Sequence, residues 1–549
     1  MAQAVAPLRI ARFRALWLAS IFSNVGSFLQ AVAGAWLMLE LTGSATWVGM
    51  MVASNTLPLL FLALAAGAVA DMLDRRRVLI AAQLTMGSAA AAMAALTWAD
   101  LITPELLLGL GLAMGVGLAF NLPAWQALIP DLVPRGMVAS AVALNSVAFN
   151  VARSVGPAIG GLLVATVGPE AGFGINALSY LGVVVVLAWM ARRLPAADRE
   201  EASMVNAIAL GVRFARFTPT FRRLLALAAL FALTSAVVQA VLPNRTDELG
   251  GGPGSYGILL GAMGFGALVG GLTRGPVAER LGERSVPATI VLFGLAGVAL
   301  GLAPSIYVAG AALVVAGAAW VWTLATLNAT AQLMSPQWVR GRAMSLYTLS
   351  FVGVLPLGSI LAGWVADRLG AGGAETLLSG GAVVLGLVAP AFRIPPLDQV
   401  ESPVYEQDRP VPEHVDTEGG PVMVVNTWVL EADEVEPFLE VMNEVRLVRL
   451  RTGAYRWRLY RDAADPHRLS EVFLTVSWEE HLAQHRRIDD ASAELLRRAR
   501  QFGKERPVTR HLVAVDVEHP EDWQRLVAAH ERYHERDGSI PLRPDQTAS

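Results

Sequence analysis

Arg153 stands inside a long apolar stretch, near residues 138 to 167, where a charge is costly unless it faces a cavity or a partner. Helical spacing puts Ser146, Asn150 and Arg153 on one face that continues to Pro157. A guanidinium there can grip an anionic group of a substrate. It can equally bind carbonyls freed near Pro157, or reach outward to the membrane surface, and the spacing alone does not choose between these. A second group carries no charge: Asn24, Gln30, Asn121, Gln239 and Asn328 are amides set in other apolar stretches, able to line a polar cavity or to bond helix to helix. A third is a repeated hinge. Gly67 and Asp71 precede Arg75, Arg76 and Arg77, and the pattern returns 208 positions later as Gly275, Glu279, Arg280 and Arg284. A carboxylate ending a helix beside arginines can face a neighbouring helix N-terminus and form charge-assisted pairs.

Two histidine spacings suggest metal. His530, Glu531 and His534 match His-Glu-x-x-His, and His481 and His485 lie one helical turn apart. A zinc hydrolase needs a third ligand on a buried platform, whereas His534 lies in a charged, polar segment. Both pairs therefore read as solvated helix faces, and no metal or cofactor is expected.

The elements that must position these residues follow from composition. Hydrophobic residues make up 54% and charged residues 16% of 549, and the mean hydropathy of +0.48 lies outside the soluble range. The net charge of −3 says little as a sum, but all eight histidines and the single lysine, Lys504, lie beyond residue 400. Without cysteine, disulfides and thiolate chemistry are excluded. Apolar stretches of the length that crosses a bilayer lie near 16–38, 46–70, 78–98, 104–123, 138–167, 172–191, 222–243, 255–274, 286–303, 305–329, 342–366 and 374–392. Arginines before the first stretch could suggest a cleaved signal, but eleven further stretches favour a retained span. The connections between spans divide by charge. Arg75 to Arg77, Arg135, Arg192, Arg193, Arg222, Arg223, Arg280, Arg284, Arg340 and Arg342 fall on one side, and only Arg245 and Arg368 on the other. Positive residues favour the cytoplasmic face, so both ends of the membrane part, and the tail with them, are expected there.

Repetition divides the spans into two halves of six. Arg135-Gly136 with Ser140 echoes in Arg340-Gly341 with Ser345, and Gly156-Pro157-Ala158-Ile159-Gly160-Gly161 corresponds loosely to residues 358 to 363. Parallel halves place a substrate site between them near the midplane. The hinge and the Gly-Pro-x-x-Gly-Gly run resemble the loop and antiporter signatures of the major facilitator superfamily. Residues 123 to 161, with Gln126-Ala127-Leu128-Ile129-Pro130-Asp131-Leu132-Val133-Pro134, resemble its enterobactin-exporter-like branch of transmembrane secretion effectors. The first hinge departs from the family at Met72 and Asp74, and the fourth span lacks the family's arginine. The resemblance implies that spans one, four, seven and ten line the cavity, making Asn24, Gln30, Asn121, Gln239 and Asn328 contacts. It also implies a gate formed by Gly67, Asp71, Arg76, Arg77, Arg135, Gly156, Pro157, Gly160, Gly161, Glu279, Arg280 and Arg284. No acid falls in the middle of a predicted span, so proton coupling would run through Glu40, Asp71 or Glu105.

Beyond residue 421 the pattern changes to strand 422–430, helix 433–452, strands 454–461 and 468–477, helix 478–502 and strand 508–516, the order of a ferredoxin-like domain. Residues 469 to 486 resemble antibiotic-biosynthesis monooxygenases, which form dimeric α/β barrels. That resemblance directs attention to Asn426, Trp428, Trp457, Trp478 and His485, with a degenerate dimerising or sensing copy preferred over catalysis.

The expected protein is an all-α membrane protein of twelve transmembrane helices with an α+β ferredoxin-like cytoplasmic domain. Its parts are a six-helix half (1–192), a central loop (193–221), a second half (222–395), a linker (396–420), the small domain (421–517) and a polar tail (518–549). The expected function is export of a small amphiphilic molecule, such as a siderophore, drug or secondary metabolite, across the inner membrane by alternating access, with proton antiport. The alternative is a transporter-fused sensor or cofactor-independent monooxygenase. Expected partners are the substrate, the bilayer and a second copy through the small domain, with no nucleic acid.

Overall fold

The computed structural model describes residues 5–190, 204–394 and 421–514. The linker 396–420, the tail 518–549 with His530 and His534, and part of the central loop lie outside the described residues. The chain separates into two compact units, Met1–Glu201, Arg223–Gln332 and Met344–Val400 in one, and Ala202–Arg222, Leu333–Ala343 and Glu401–Ser549 in the other.

The first half of the chain supplies helices α1 (Ala11–Thr42), α2 (Ala45–Ser54), α3 (Leu57–Met72), α4 (Arg75–Trp98), α5 (Pro104–Asp131), α6 (Val138–Thr166) and α7 (Pro169–Trp189). After α8 (Met204–Phe217) come α9 (Pro219–Ser235), α10 (Val237–Ala240), α11 (Leu242–Glu248), α12 (Pro253–Leu281), α13 (Ser285–Gly301), α14 (Ile306–Leu333), α15 (Arg340–Phe351) and α16 (Leu355–Val388). Their ends follow local chemistry. Gly43 closes α1 at φ 62°, Asp74 accepts from the Arg76 N–H to start α4, and Thr103 caps α5.

Among the described residues, nine helical runs are long and apolar enough to cross a membrane. Two of them, Pro253–Gly301 and Arg340–Phe392, run to 49 and 53 residues, more than twice the roughly 20 that one crossing needs. The second stretch expected from sequence is not continuous: it breaks between α2 and α3 at Asn55 and Thr56, because Pro58 removes a backbone donor and crowds the preceding turn. Within α16, Gly370 takes φ 75° and interrupts the helix.

The two halves meet through paired helices. A Cβ on Gly161 of α6 would stand 2.7 Å from the Gly257 Cα of α12, so only glycine allows this approach. The pair α2 and α16 is equally close, with the Gly49 backbone against the Ser359 carbonyl and Gly363 against Ala45.

In the smaller unit, β1 (Val422–Val429), α17 (Val435–Thr452), β2 (Arg456–Arg461), β3 (Arg468–Thr475), α18 (Trp478–Arg486), α19 (Asp490–Ala499) and β4 (Val508–Val513) follow in order. The sheet runs β2-β3-β1-β4 with every neighbour antiparallel. Its core joins Trp428, Phe438, Met442, Val445, Leu469 and Leu496. The helix expected over 478–502 is two helices, because Asp489 caps α19 through the Ser492 N–H and ends the continuity. The same unit contains α8, which packs on α17. Arg213 of α8 donates to the Gly453 carbonyl at 3.3 Å, its neighbour Phe214 meets Trp338 edge-on, and the Arg487 guanidinium lies 5.1 Å from the Trp338 ring.

Candidate functional site

Between the halves lies a cavity of about 200 Å³ whose polar lining is Gln30, Asn55, Arg153, Gln239 and Tyr256, set among Phe28, Met51, Pro157 and Met263. It therefore joins α1, α2, α6, α10 and α12. Arg153 is the one charged side chain in that lining. Its guanidinium lies 4.4 Å from the ring of Trp320 on α14, and among the described residues no acid pairs with it within salt-bridge distance. Gln30 is buried, held by the Asn176 amide at 2.6 Å and aimed at the sulfurs of Met93 and Met114.

Of the seven residues expected to contact substrate, three come together here: Gln30, Arg153 and Gln239. Asn24, Asn121, Asn150 and Asn328 are not in the lining. Asn121 accepts from Gln83 at 3.0 Å, Asn150 donates to the Ser146 carbonyl, and Asn328 accepts from Gln332. These three are engaged within the protein. Asn55, at the break before Pro58, joins the cavity in their place.

The glycine-rich run of α6 closes one end of the space. Gly156 admits Phe28, Gly160 lies against the Leu29 backbone, and Gly161 against Gly257, so each position excludes a larger side chain. Towards the same end, Asp367 of α16 crosses to the other half and accepts from the backbone N–H groups of Ala45 (2.7 Å) and Thr46 (3.2 Å) and the hydroxyls of Ser44 and Thr46. A carboxylate at the start of α2 satisfies donors that the helix cannot, and meets its positive end.

In the repeated hinge, the described contacts are those of the first copy's arginines. Arg75 forms an ion pair with Asp131 at 2.7 Å, and Arg76 donates to the Leu187 carbonyl at 2.7 Å. Arg77, Glu279, Arg280 and Arg284 are exposed. The side chains of Gly67, Asp71 and Arg135 lie outside the described residues.

Sequence reasoning missed three acids: Asp131, Asp367 and Glu375. Asp131 had a visible signal, since it sits inside the family-like run just before Arg135. Glu375 stands second in the apolar stretch 374–392, and the helical segment that resumes after Gly370 carries it into the packed interior, where it is 1% exposed.

In the small domain, Glu471 is fully buried and accepts from Asn426 (2.7 Å), Arg449 (3.1 Å) and Trp457 (2.8 Å). Asn426 and Trp457, two of the residues singled out by resemblance, are consumed by this network. Trp428 donates to the Ala499 carbonyl. The pair His481 and His485 is not a solvated face: His481 is 3% exposed, because α18 turns that side towards Trp478 and the His511 ring. Burial first, then the charges of His485, His511 and Arg449, push its pKa from 6.5 down to about 3. Among the described residues, no group of three or more His, Asp or Glu is arranged to hold a metal ion.

The sequence matches the family of transmembrane secretion effectors over residues 2–520. It is 30% identical over 411 residues to the multidrug efflux pump Tap of Mycobacterium tuberculosis, covering 72% of this chain and 96% of that protein. It is 27% identical over 397 residues to the enterobactin exporter EntS of Shigella boydii (68% and 90%), and 24% identical over 356 residues to the staphyloferrin A transporter of Staphylococcus aureus (63% and 87%). Among solved structures, an inward-facing, occupied bacterial homologue of the human lysosomal transporter Spinster matches with a TM-score of 0.56 at 16% identity, covering 70% of this chain and 96% of that one. The nucleoside transporter NupG matches at 0.56 and 15% (70% and 99%). These two share the fold.

Proposed function

Because the chain belongs to the transmembrane secretion effector family of the major facilitator superfamily, we propose that it exports a small amphiphilic molecule across the inner membrane by alternating access, with proton antiport. The family and its relatives are transporters rather than enzymes. The observation that carries the site is Arg153: a half-buried cation lining a cavity between the two halves, with no internal counter-charge among the described residues. A guanidinium so placed is matched by an anionic group on an otherwise apolar substrate.

Twelve crossings account for the helices. The nine long runs include two of double length, and α2 with α3 supplies one more broken crossing. With the arginine-bearing connections in the cytoplasm, both ends of the membrane part lie there, and the seal at Asp367 and Gly161 is on the outside. The structure then corresponds to a form closed outward. Rocking would open that seal while bringing the hinge residues of the two halves together.

The test is uptake of enterobactin, used as the probe, into inverted vesicles under an imposed pH gradient. Wild type should accumulate it, and Arg153→Ala should lower the rate at least tenfold, about 1.4 kcal/mol of lost interaction. Equal rates for the two proteins would remove Arg153 from the site.

A second reading concerns the small domain. Its strand order and antiparallel pairing fit a ferredoxin-like fold, and it shares one compact unit with α8 and residues 333–343. Those two segments join spans on the cytoplasmic side, so a sensing role has a physical route to the transporter. Catalysis is less favoured, because the Glu471 network takes up Asn426 and Trp457. Pairing with a second copy would use the exposed apolar residues Val508 and Leu512 of edge strand β4.

A further inference from the structure

Glu375 is an acid that the substrate site does not use. It lies one turn past the Gly370 break, where α16 resumes, and its side chain is buried against α13. The Ser379 hydroxyl donates to Oε1 at 2.9 Å, while Oε2 has no hydrogen-bond partner among the described residues. The packing that encloses it is built from glycines: a Cβ on Gly297 of α13 would stand 3.0 Å from Oε1 and collide with Ser379.

The nearby cation is Arg245 of α11, and it is occupied. Its guanidinium donates to the Leu300 carbonyl at 3.3 Å, the Ala303 carbonyl at 2.7 Å and Glu248 at 2.9 Å. Glu248 in turn accepts from the backbone N–H groups of Ala371 (2.5 Å) and Gly372 (3.1 Å), which start the helical segment carrying Glu375. A cleft of about 530 Å³ opens beside this group, lined by Arg245, Glu248, Gly301, Gly372 and Thr376. Thr376 is the immediate neighbour of Glu375.

A carboxylate sealed in an apolar site with one hydroxyl donor lacks the partners an ionised form requires. We propose that Glu375 is the proton-binding group of this transporter: it takes a proton through the cleft, holds it as the neutral acid in the form seen here, and releases it when Arg245 leaves Glu248 and turns towards it. The step is a simple protonation, carboxylate plus proton giving the acid, and its reversal restores both. The groups that act on the carboxyl are the Ser379 hydroxyl from its own helix and the Arg245 guanidinium from α11, which is itself paired with Glu248; α13 carries no ionisable side chain. This inference rests on the proposed export by proton antiport and names the residue that couples it.

The full chain in proteoliposomes tests it, with enterobactin as the probe. Under a gradient of about one pH unit, one exchanged proton sustains up to about tenfold accumulation. Glu375→Gln should lose that accumulation yet retain counterflow, the exchange of labelled for unlabelled probe without any gradient. Accumulation equal to wild type in Glu375→Gln overturns the proposal. If wild type shows no counterflow at all, the export reading fails for this probe, and a second measurement still decides the proton site. Infrared spectra of the purified protein should contain a protonated carboxylic-acid band that persists at neutral pH and is missing from Glu375→Gln. Identical spectra for the two proteins would also overturn it, and Ser379→Ala, which keeps the acid, controls for misfolding by retaining the band.

Discussion

Arg153 and Trp320 come from different halves of the chain and meet at the cavity wall, so the guanidinium is held by a ring face rather than by an acid. A half-buried cation over an aromatic ring gains on the order of 1–2 kcal/mol, which leaves much of the cost of taking a charge out of water to be met by a substrate anion. Arg153→Lys keeps the charge but loses planar stacking and forked hydrogen bonding. Its enterobactin transport should fall between wild type and Arg153→Ala, with the loss in apparent affinity more than in maximal rate; equal affinities for Lys and Arg would assign the residue to packing. His481 makes a separate prediction. Its folded pKa of about 3 lies below the ordinary 6.5, so the unfolded chain takes up a proton that the native ring refuses. The resulting stability is present above the ordinary value and declines as pH falls from there towards about 3. Hydrogen exchange of β3 and β4 amides in the full chain, corrected for intrinsic rate, should speed up from about pH 7 to about pH 5, and His481→Gln should flatten the change. Arg153 was legible in sequence because a charge inside an apolar run is conspicuous. His481 was not, since polar residues one turn apart look alike whether the helix turns them outward or inward.

The helices themselves were legible from hydrophobic length, and their interruptions were less so. Pro58 is a visible break in the second span, yet its neighbours are apolar enough to hide it. The break at Gly370 depends on Glu248, 122 residues earlier in the chain, which receives the freed N–H groups. Long-range partners of that kind leave no periodic signature. At this scale the contact between α16 and α2 makes the sharpest prediction. Asp367→Asn keeps the shape but removes the charge facing the α2 N-terminus, worth about 0.3–1 kcal/mol. Single cysteines introduced at Ser44 in this cysteine-free chain should be labelled faster in Asp367→Asn than in the unaltered background. An unchanged labelling rate would mean that Asp367 does not hold this end closed. Gly161→Leu should disturb the same end more strongly: its side chain would meet the Pro253 and Gly257 backbone of α12, and overpacking of about 1–3 kcal/mol should separate α6 from α12 and reduce transport more than Asp367→Asn does.

For the whole molecule, the two compact units divide the chain differently from its linear order. The sequence showed where apolar spans give way to a strand and helix alternation, but not that α8 and residues 333–343 belong with the small domain, because that grouping arises from contacts between distant segments. Arg487, Trp338 and Arg213 make those contacts. Truncation before residue 400 should therefore leave transport within about threefold of wild type, a change of less than 1 kcal/mol, while exposing α8 to faster hydrogen exchange. Loss of transport greater than tenfold would instead make the small domain part of the transport cycle. The Gly161 and Gly257 contact has a consequence for how this cycle proceeds. A junction made from backbone alone has no rotamers with which to yield by degrees, and close-packed surfaces have few intermediate arrangements. The seal at Gly161 and Gly257 should thus be either made or broken, so that distance measurements across it give two discrete populations whose proportions shift with substrate, not a single distance that drifts.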